Sequence, residues 1–190
     1  MTEIQVNPHH VDTILQAAGI VRRHEEFSLF KQMADTAVIE LEHAMHHKFS
    51  IPDGNFTLDY DRKENRSFFI ALLYCMQAVE HKSCWRTAME YCKILMRLSA
   101  KGDDPLAVML LIDQYAIKAH ELVWLLEYYK SINDTHNLDM MPNFAYSIPL
   151  TLFYLSRGEG TIVSHKSIKA HLTKVRDELC KEDLRCVLFF

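Results

Sequence analysis

Residues 105–119 constrain the fold more than any other stretch: Pro-Leu-Ala-Val-Met-Leu-Leu-Ile-Asp-Gln-Tyr-Ala-Ile-Lys-Ala. Residues 106–112 run without a polar break, and Tyr115, Ala116 and Ile117 extend the pattern at helical spacing. A buried strand rarely runs so long, so the stretch predicts a helix. Pro105 suits the first turn of a helix, where a missing N–H costs nothing. Asp103 and Asp104 stand where acidic side chains cap the start and meet the positive end of the helix dipole. A helix this apolar has to be covered on more than one side, so it needs helical neighbours before and after it in the chain.

The flanking sequence supplies them. Asn7-Pro8 is read as the opening of a first helix carrying Val11, Ile14, Leu15 and Ala18, with Gly19 an interruption or a close contact near its end. A second helix is expected from about Glu25 to His47 or Phe49. Residues 50–60, with Pro52, Asp53, Gly54 and Asn55, read as an ordered loop. A third helix starts near Asp61 or Glu64 and turns at His81-Lys82-Ser83. A fourth runs from Trp85 to Leu98 and stops at Lys101-Gly102. Beyond the central helix, Glu121 to Ile132 is expected to be helical and residues 131–139 a polar connector. Pro142 opens another helix, which Pro149 should kink and Gly158-Glu-Gly160 should close. A more polar last helix covers residues 164–179 and lies at an end of the stack.

The architecture expected is therefore all-α, with residues 1–190 as one helical-repeat domain. Pro105 and Pro142 stand about 37 residues apart, the size of a two-helix repeat. Antiparallel hairpins stacked as a degenerate tetratricopeptide-like α-solenoid fit that period; an irregular helical bundle is the competing arrangement. At 190 residues and 49% hydrophobic, the chain can bury a real core. No run reaches the ~18 apolar residues of a membrane span, and no secretory leader is evident near Met1, so we expect a soluble intracellular chain. Five cysteines without a CxxC pair fit free thiols in a reducing compartment. The net charge of −4 argues against wholesale nucleic-acid binding.

Few residues suggest chemistry. His43 and His47 are one helical turn apart, with His46 between them, but a structural zinc needs four ligands. His81, Cys84 and Cys92 lack paired-ligand spacing, and Cys92 falls on an apolar stripe. A metal enzyme built on His43 and His47 is the least supported reading. Asp113, at the end of the apolar run, is expected to reach the surface or pair with a base, and no second acid joins it for acid–base work. No catalytic residue, cofactor or metal is expected. The most informative polar stretch is Asp59-Tyr-Asp-Arg-Lys-Glu-Asn-Arg66. Asp59, Tyr60, Arg62, Lys63, Asn65 and Arg66 are candidate partner-binding residues, because Arg62, Lys63 and Arg66 share a face that could meet an acidic partner. Asn143 and Tyr146 are added as groove residues at the front of their helix, with core packing the alternative for the tyrosine.

Five ordered blocks carry a resemblance. They are residues 7–15 (Asn-Pro-His-His-Val-Asp-Thr-Ile-Leu), 58–69, 87–93 (Thr-Ala-Met-Glu-Tyr-Cys-Lys), 104–113 and 141–150. Over residues 7–155 the chain resembles the helical domain of the transcription factor 25 family, and residues 156–190 diverge. The resemblance implies a non-enzymatic component of ribosome quality control, working on the large ribosomal subunit with a ubiquitin ligase and a ubiquitinated nascent chain. It also implies transcriptional repression as the alternative, and a cytoplasmic location that extends to the nucleus. Relative to the family, this chain lacks the lysine-rich N-terminal segment and the C-terminal continuation. Direct nucleic-acid binding is therefore not expected of it, and the apolar end, Cys186 to Phe190, is expected to drive self-association or chaperone binding.

Overall fold

The computed structural model describes residues 9–51, 54, 56–99 and 103–157. Asn7-Pro8, Lys101-Gly102, Gly158-Glu-Gly160, the expected helix at residues 164–179 and the apolar end lie outside them. Among the described residues there are seven α-helices and a single isolated β-bridge, Leu58 to Ser99, so the fold is all-α. The helices are α1 (Val11–Arg23), α2 (Phe27–Ala44), α3 (Lys63–His81), α4 (Trp85–Leu98), α5 (Met109–Lys118), α6 (Leu122–His136) and α7 (Pro142–Ser156). A 3-10 turn, Leu138–Met140, precedes α7. The chain divides into two units, residues 1–115 and 116–190.

In the first unit α1, α2 and α3 pack against one another, and α4 packs on α3. Alanines line the contacts. Ala18, Ala34, Ala37, Ala71 and Ala78 are all buried, which lets the helix backbones approach closely. Ile14 and Leu15 of α1 meet Ala37 of α2 and Ala71 of α3. Phe30 fills the space between Ala18 and Ala78. Gly19 is a close contact rather than an interruption: a Cβ there would sit 3.0 Å from the Tyr74 hydroxyl, and α1 continues past it. The start of α1 is capped by His10, whose ring accepts the Thr13 N–H.

One turn recurs between paired helices. Glu25, Ser83 and His120 each adopt the left-handed conformation, with φ of 62°, 58° and 58°. The next residue in each case, Glu26, Cys84 or Glu121, donates its N–H to a carbonyl five residues back. This is the Schellman way of ending a helix. Each link is too short for anything but reversal, so α1–α2, α3–α4 and α5–α6 are helical hairpins. The second and third turns stand 37 residues apart, Ser83 to His120, so a 37-residue period is present in the backbone. None of the three is a glycine, although the left-handed conformation strains a side chain by ~1–2 kcal/mol. His120→Gly should therefore stabilise the chain by up to about 1 kcal/mol, after allowing for glycine's freer unfolded state. A rise in the urea midpoint without a change in slope would show it.

The central helix starts later than expected. Pro105 and Leu106 form a turn and Ala107 is left-handed, with φ 52°, so α5 begins at Met109. Asp104 still caps it: its carboxylate accepts the N–H groups of Val108 and Met109 at 2.8 and 2.6 Å. Val108, Met109, Ile112, Asp113, Tyr115 and Ala116 are buried, while Leu110 is 52% exposed. Coverage is broad but leaves one strip open. Asp113, expected near the surface, is buried.

In the second unit α6 runs through His136, replacing the expected polar connector. Asn137 ends it in the left-handed conformation, a position that suits asparagine. Asp139 holds the corner: it accepts from the Tyr129 hydroxyl and from the Asn133 amide at 2.9 Å. Pro142 stands in the first turn of α7, and Pro149 lies inside that helix. Phe144 is buried against Tyr128 and Tyr129 of α6.

Candidate functional site

The charged stretch ahead of α3 folds as a stitched corner. Leu58 donates its N–H to the Leu98 carbonyl at 2.7 Å, and Phe56 is buried under the Arg97 guanidinium. The corner then turns on Asp59. Its carboxylate accepts the Asp61 N–H at 3.2 Å, and its carbonyl accepts the Asn65 side-chain amide at 2.8 Å. Arg66 reaches back from the helix to the carbonyls of Tyr60 and Asp61, at 3.1 and 3.4 Å, and its guanidinium lies 5.3 Å from the Tyr60 ring centroid. Tyr60 itself stands edge-on to buried Phe69 at 5.2 Å.

This splits the expected basic face. Asn65 and Arg66 hold the corner together. Arg62 and Lys63, exposed at the start of α3, remain as the side chains presented outward. Ser67, one turn on, donates to the Asp12 carboxylate and so ties the corner to α1. The rigidity of the loop comes from side chains answering backbone carbonyls, which fixes where the two cations stand without consuming them.

The other sequence candidates fall elsewhere. Asn143 and Tyr146 belong to the second unit. Tyr146 is 80% exposed, so the core-packing alternative fails, and Asn143 is half-buried. The helical spacing expected of His43 and His47 does not form, because α2 ends at Ala44 and Met45 turns extended. His46 and His47 rings instead lie 4.0 Å apart. No group of three or more metal-ligating side chains gathers among the described residues.

Cys92 is buried with its thiol 3.2 Å from the Met76 sulfur, while Cys84 is exposed. Burial pushes the Cys75 thiol up to about 12, with the Asp35 carboxylate adding to the effect. Burial likewise pushes Cys92 up to about 12. Tyr115 is raised by burial and by its hydrogen bond to Glu80 at 2.6 Å. These groups stay protonated at neutral pH and are poor nucleophiles. All three shifts have one sign. Their contribution to stability is full below the unfolded values and is lost as pH rises toward the folded ones. The urea midpoint should therefore hold between pH 7 and 8 and fall by pH 10. Thiol labelling with peptide mapping at pH 7.5 should mark Cys84 at once, and Cys75 and Cys92 only as the chain unfolds.

Sequence reasoning missed one concavity. Arg22, Phe27, Gln77, Glu80, His81, Ser83 and Trp85 line an open cleft of about 540 Å³ where the α1–α2 and α3–α4 turns come side by side. Arg22 bonds Gln77, and the Phe27 and His81 rings are 3.5 Å apart. Glu80, the one carboxylate in the cleft, already accepts from Tyr115. The cleft is suited to holding a side chain, not to moving protons. Only the left-handed turn at Ser83 could have pointed to it, and serine does not announce that conformation.

The sequence profile of a family described as "Transcriptional repressor TCF25" matches residues 1–181. The chain belongs to the transcription factor 25 family. A relative from Homo sapiens, named ribosome quality control complex subunit TCF25, is 39% identical over 154 residues, covering 81% of this chain and 23% of the relative. The Dictyostelium discoideum protein of the same name is 33% identical, covering 81% of this chain and 21% of its own. In Schizosaccharomyces pombe, ribosome quality control complex subunit 1 is 26% identical, covering 80% and 23%. The chain thus spans less than a quarter of the length of these members of the transcription factor 25 family. No solved structure matches it. No helix among the described residues is long and apolar enough to cross a membrane.

Proposed function

We propose that the chain is a non-enzymatic interaction scaffold of ribosome quality control. In this reading it serves in the cytoplasm, and also the nucleus, as the helical part of a subunit that assists ubiquitination of stalled nascent chains on the large ribosomal subunit. Its partners are then the complex's ubiquitin ligase, the large subunit and the ubiquitinated nascent chain. The observation that carries this is the shared name of relatives from human, slime mould and fission yeast, each covering about four-fifths of the chain. The three hairpins, two of them one 37-residue period apart, support stacking as a degenerate tetratricopeptide-like array, which offers an extended surface to protein partners.

Within that scaffold the corner at residues 59–66 is our candidate contact. Arg62 and Lys63 meet acidic groups of the partner, and Asp59, Tyr60, Asn65 and Arg66 hold them in place. Tyr146 is given a different role in the next subsection, and Asn143 stays with it on α7. The test is co-sedimentation with split large ribosomal subunits in a stall-inducing translation extract. The chain should appear in those fractions with the ligase. The double variant Arg62→Glu, Lys63→Glu should drop at least tenfold there while its unfolding midpoint stays within the ±0.5 kcal/mol of a surface change. Absence of the unmodified chain from fractions that hold the ligase overturns the reading.

Transcriptional repression is the second reading. The family description and a relative named probable transcription factor claV, 29% identical over 156 residues, favour it. In this reading the chain acts through protein contacts, as a co-regulator. Recovery of the chain with chromatin-bound repressor complexes, and not with ribosomal subunits, would select it.

A further inference from the structure

The fifteen residues of α7 include no Asp, Glu, Lys or Arg. Phe144, Ile148, Thr151 and Leu152 are buried. On the opposite side Tyr146, Leu150 and Phe153 follow one another at single-turn spacing, and they are 80%, 40% and 52% exposed. Successive side chains in a helix advance by 100°, so the two rows stand roughly half a circle apart. A helix with two apolar faces needs cover on both.

The chain itself carries a fitting partner. In residues 164–179, Ile168, Leu172, Val175 and Leu179 recur at intervals of four, three and four. Most of the remaining positions are polar or charged, including Lys166, Lys169, Lys174, Arg176, Asp177 and Glu178. That pattern gives one apolar stripe and no second, so the segment can be covered on one side only. Its stripe would extend about 16 Å as a helix, against about 10 Å for the row on α7, so the shorter row can be spanned completely. The link, residues 157–163, contains Gly158 and Gly160. Seven residues reach up to about 23 Å, well beyond the 8–10 Å between packed helices.

We propose that residues 164–179 fold back as an amphipathic helix on the Tyr146–Leu150–Phe153 face of α7, closing the second unit with a polar outer surface. The pairing repeats the scheme of α1–α2, α3–α4 and α5–α6, and it gives a stacked array the polar cap that a terminal repeat requires. The occupant is the chain's own segment, in preference to a second copy, because a second copy on this face would leave the Ile168–Leu179 stripe uncovered.

Limited trypsin digestion of the full chain, followed by mass spectrometry, tests this at Lys166, Lys169, Lys174 and Arg176. Cleavage there should be at least tenfold slower than in a synthetic peptide of residues 160–183. The double variant Leu150→Asp, Phe153→Asp, altered only on the exposed row, should abolish that protection while Cys92 remains unreactive toward thiol reagents. Leu172→Asp should do the same from the other side. In addition, Leu150→Cys with Leu172→Cys should give a 150–172 disulfide within one chain under mild oxidation. Cleavage of the native chain at the peptide's rate overturns the proposal. So does protection that survives Leu150→Asp, Phe153→Asp, which would place the segment elsewhere. A concentration-dependent dimer that this double variant dissolves, with the cleavage rate unchanged, assigns the face to a second copy and also overturns it. None of these readouts depends on ribosome binding.

Discussion

Phe30→Ala is expected to lower the free energy of unfolding by about 3–5 kcal/mol, the range for emptying a large buried aromatic site. Phe30 has no exposed surface and lies where α1, α2 and α3 converge, against Ala18 and Ala78, with the Tyr74 ring 5.3 Å away. The neighbours are alanines at helix-to-helix contacts, so they cannot swing inward to fill the gap. Backbones already in contact cannot close further. The cavity therefore persists, and the upper part of the range applies. Domains hold only about 5–15 kcal/mol in total, so the first unit should lose a large share of its stability. The adjacent Leu29 is 42% exposed, and Leu29→Ala should move stability by no more than about 0.5 kcal/mol. Urea unfolding followed by circular dichroism separates the two. Equal effects from Phe30→Ala and Leu29→Ala would mean that the three-helix junction is not the centre of the unit.

Helix content was legible because apolar spacing reports on burial, and burial decides these helices. The bounds of α4 and the turn at His81-Lys82-Ser83 follow from the stripe alone. The errors share one physical origin. Helix ends depend on single residues in the left-handed conformation, and here Glu25, Ser83, Ala107 and His120 take it without a glycine. Ala107 is the clearest case. Alanine is the best helix former, yet it stands left-handed four residues after a proline that should open a helix, because the Asp104 carboxylate takes the N–H groups of Val108 and Met109 and so fixes the start there. The 37-residue period was inferred from Pro105 and Pro142, which occupy different positions: one in a turn, the other in the first turn of α7. The equivalent positions are Ser83 and His120, which no composition rule would pair.

For the candidate site, charge density pointed to the right corner but not to the division of labour within it. Spacing placed Arg62, Lys63 and Arg66 on one face. It could not show that Arg66 turns back onto the Tyr60 and Asp61 carbonyls, because that depends on the path of the loop before the helix. The cleft around Trp85 was illegible for a related reason: its walls come from four helices and two turns far apart in sequence.

Phe144→Ala is expected to be as costly in the second unit, again about 3–5 kcal/mol. Phe144 is 1% exposed and lies 6.4 Å, ring to ring, from both Tyr128 and Tyr129, the principal aromatic anchor of α7 on α6. Three consequences follow from one truncation. The ring's buried area is lost, the aromatic pairs worth about 0.5–1.5 kcal/mol each are lost, and Tyr129 loses the packing that steers its hydroxyl to Asp139. Asp139 also ties Asn133 to the 3-10 turn, so the corner between α6 and α7 should loosen with it. Hydrogen exchange should show this as faster exchange at Asp139 and Met141, whose N–H groups bond to Asn133 and Leu138, while the amides of α1 to α3 keep their native rates. Tyr146→Ala, two residues along on the opposite side of α7, leaves all of those contacts in place and should spare the corner. A Phe144→Ala chain whose corner amides exchange at the native rate would show that Asn133, Asp139 and the 3-10 turn hold the two helices without the aromatic anchor.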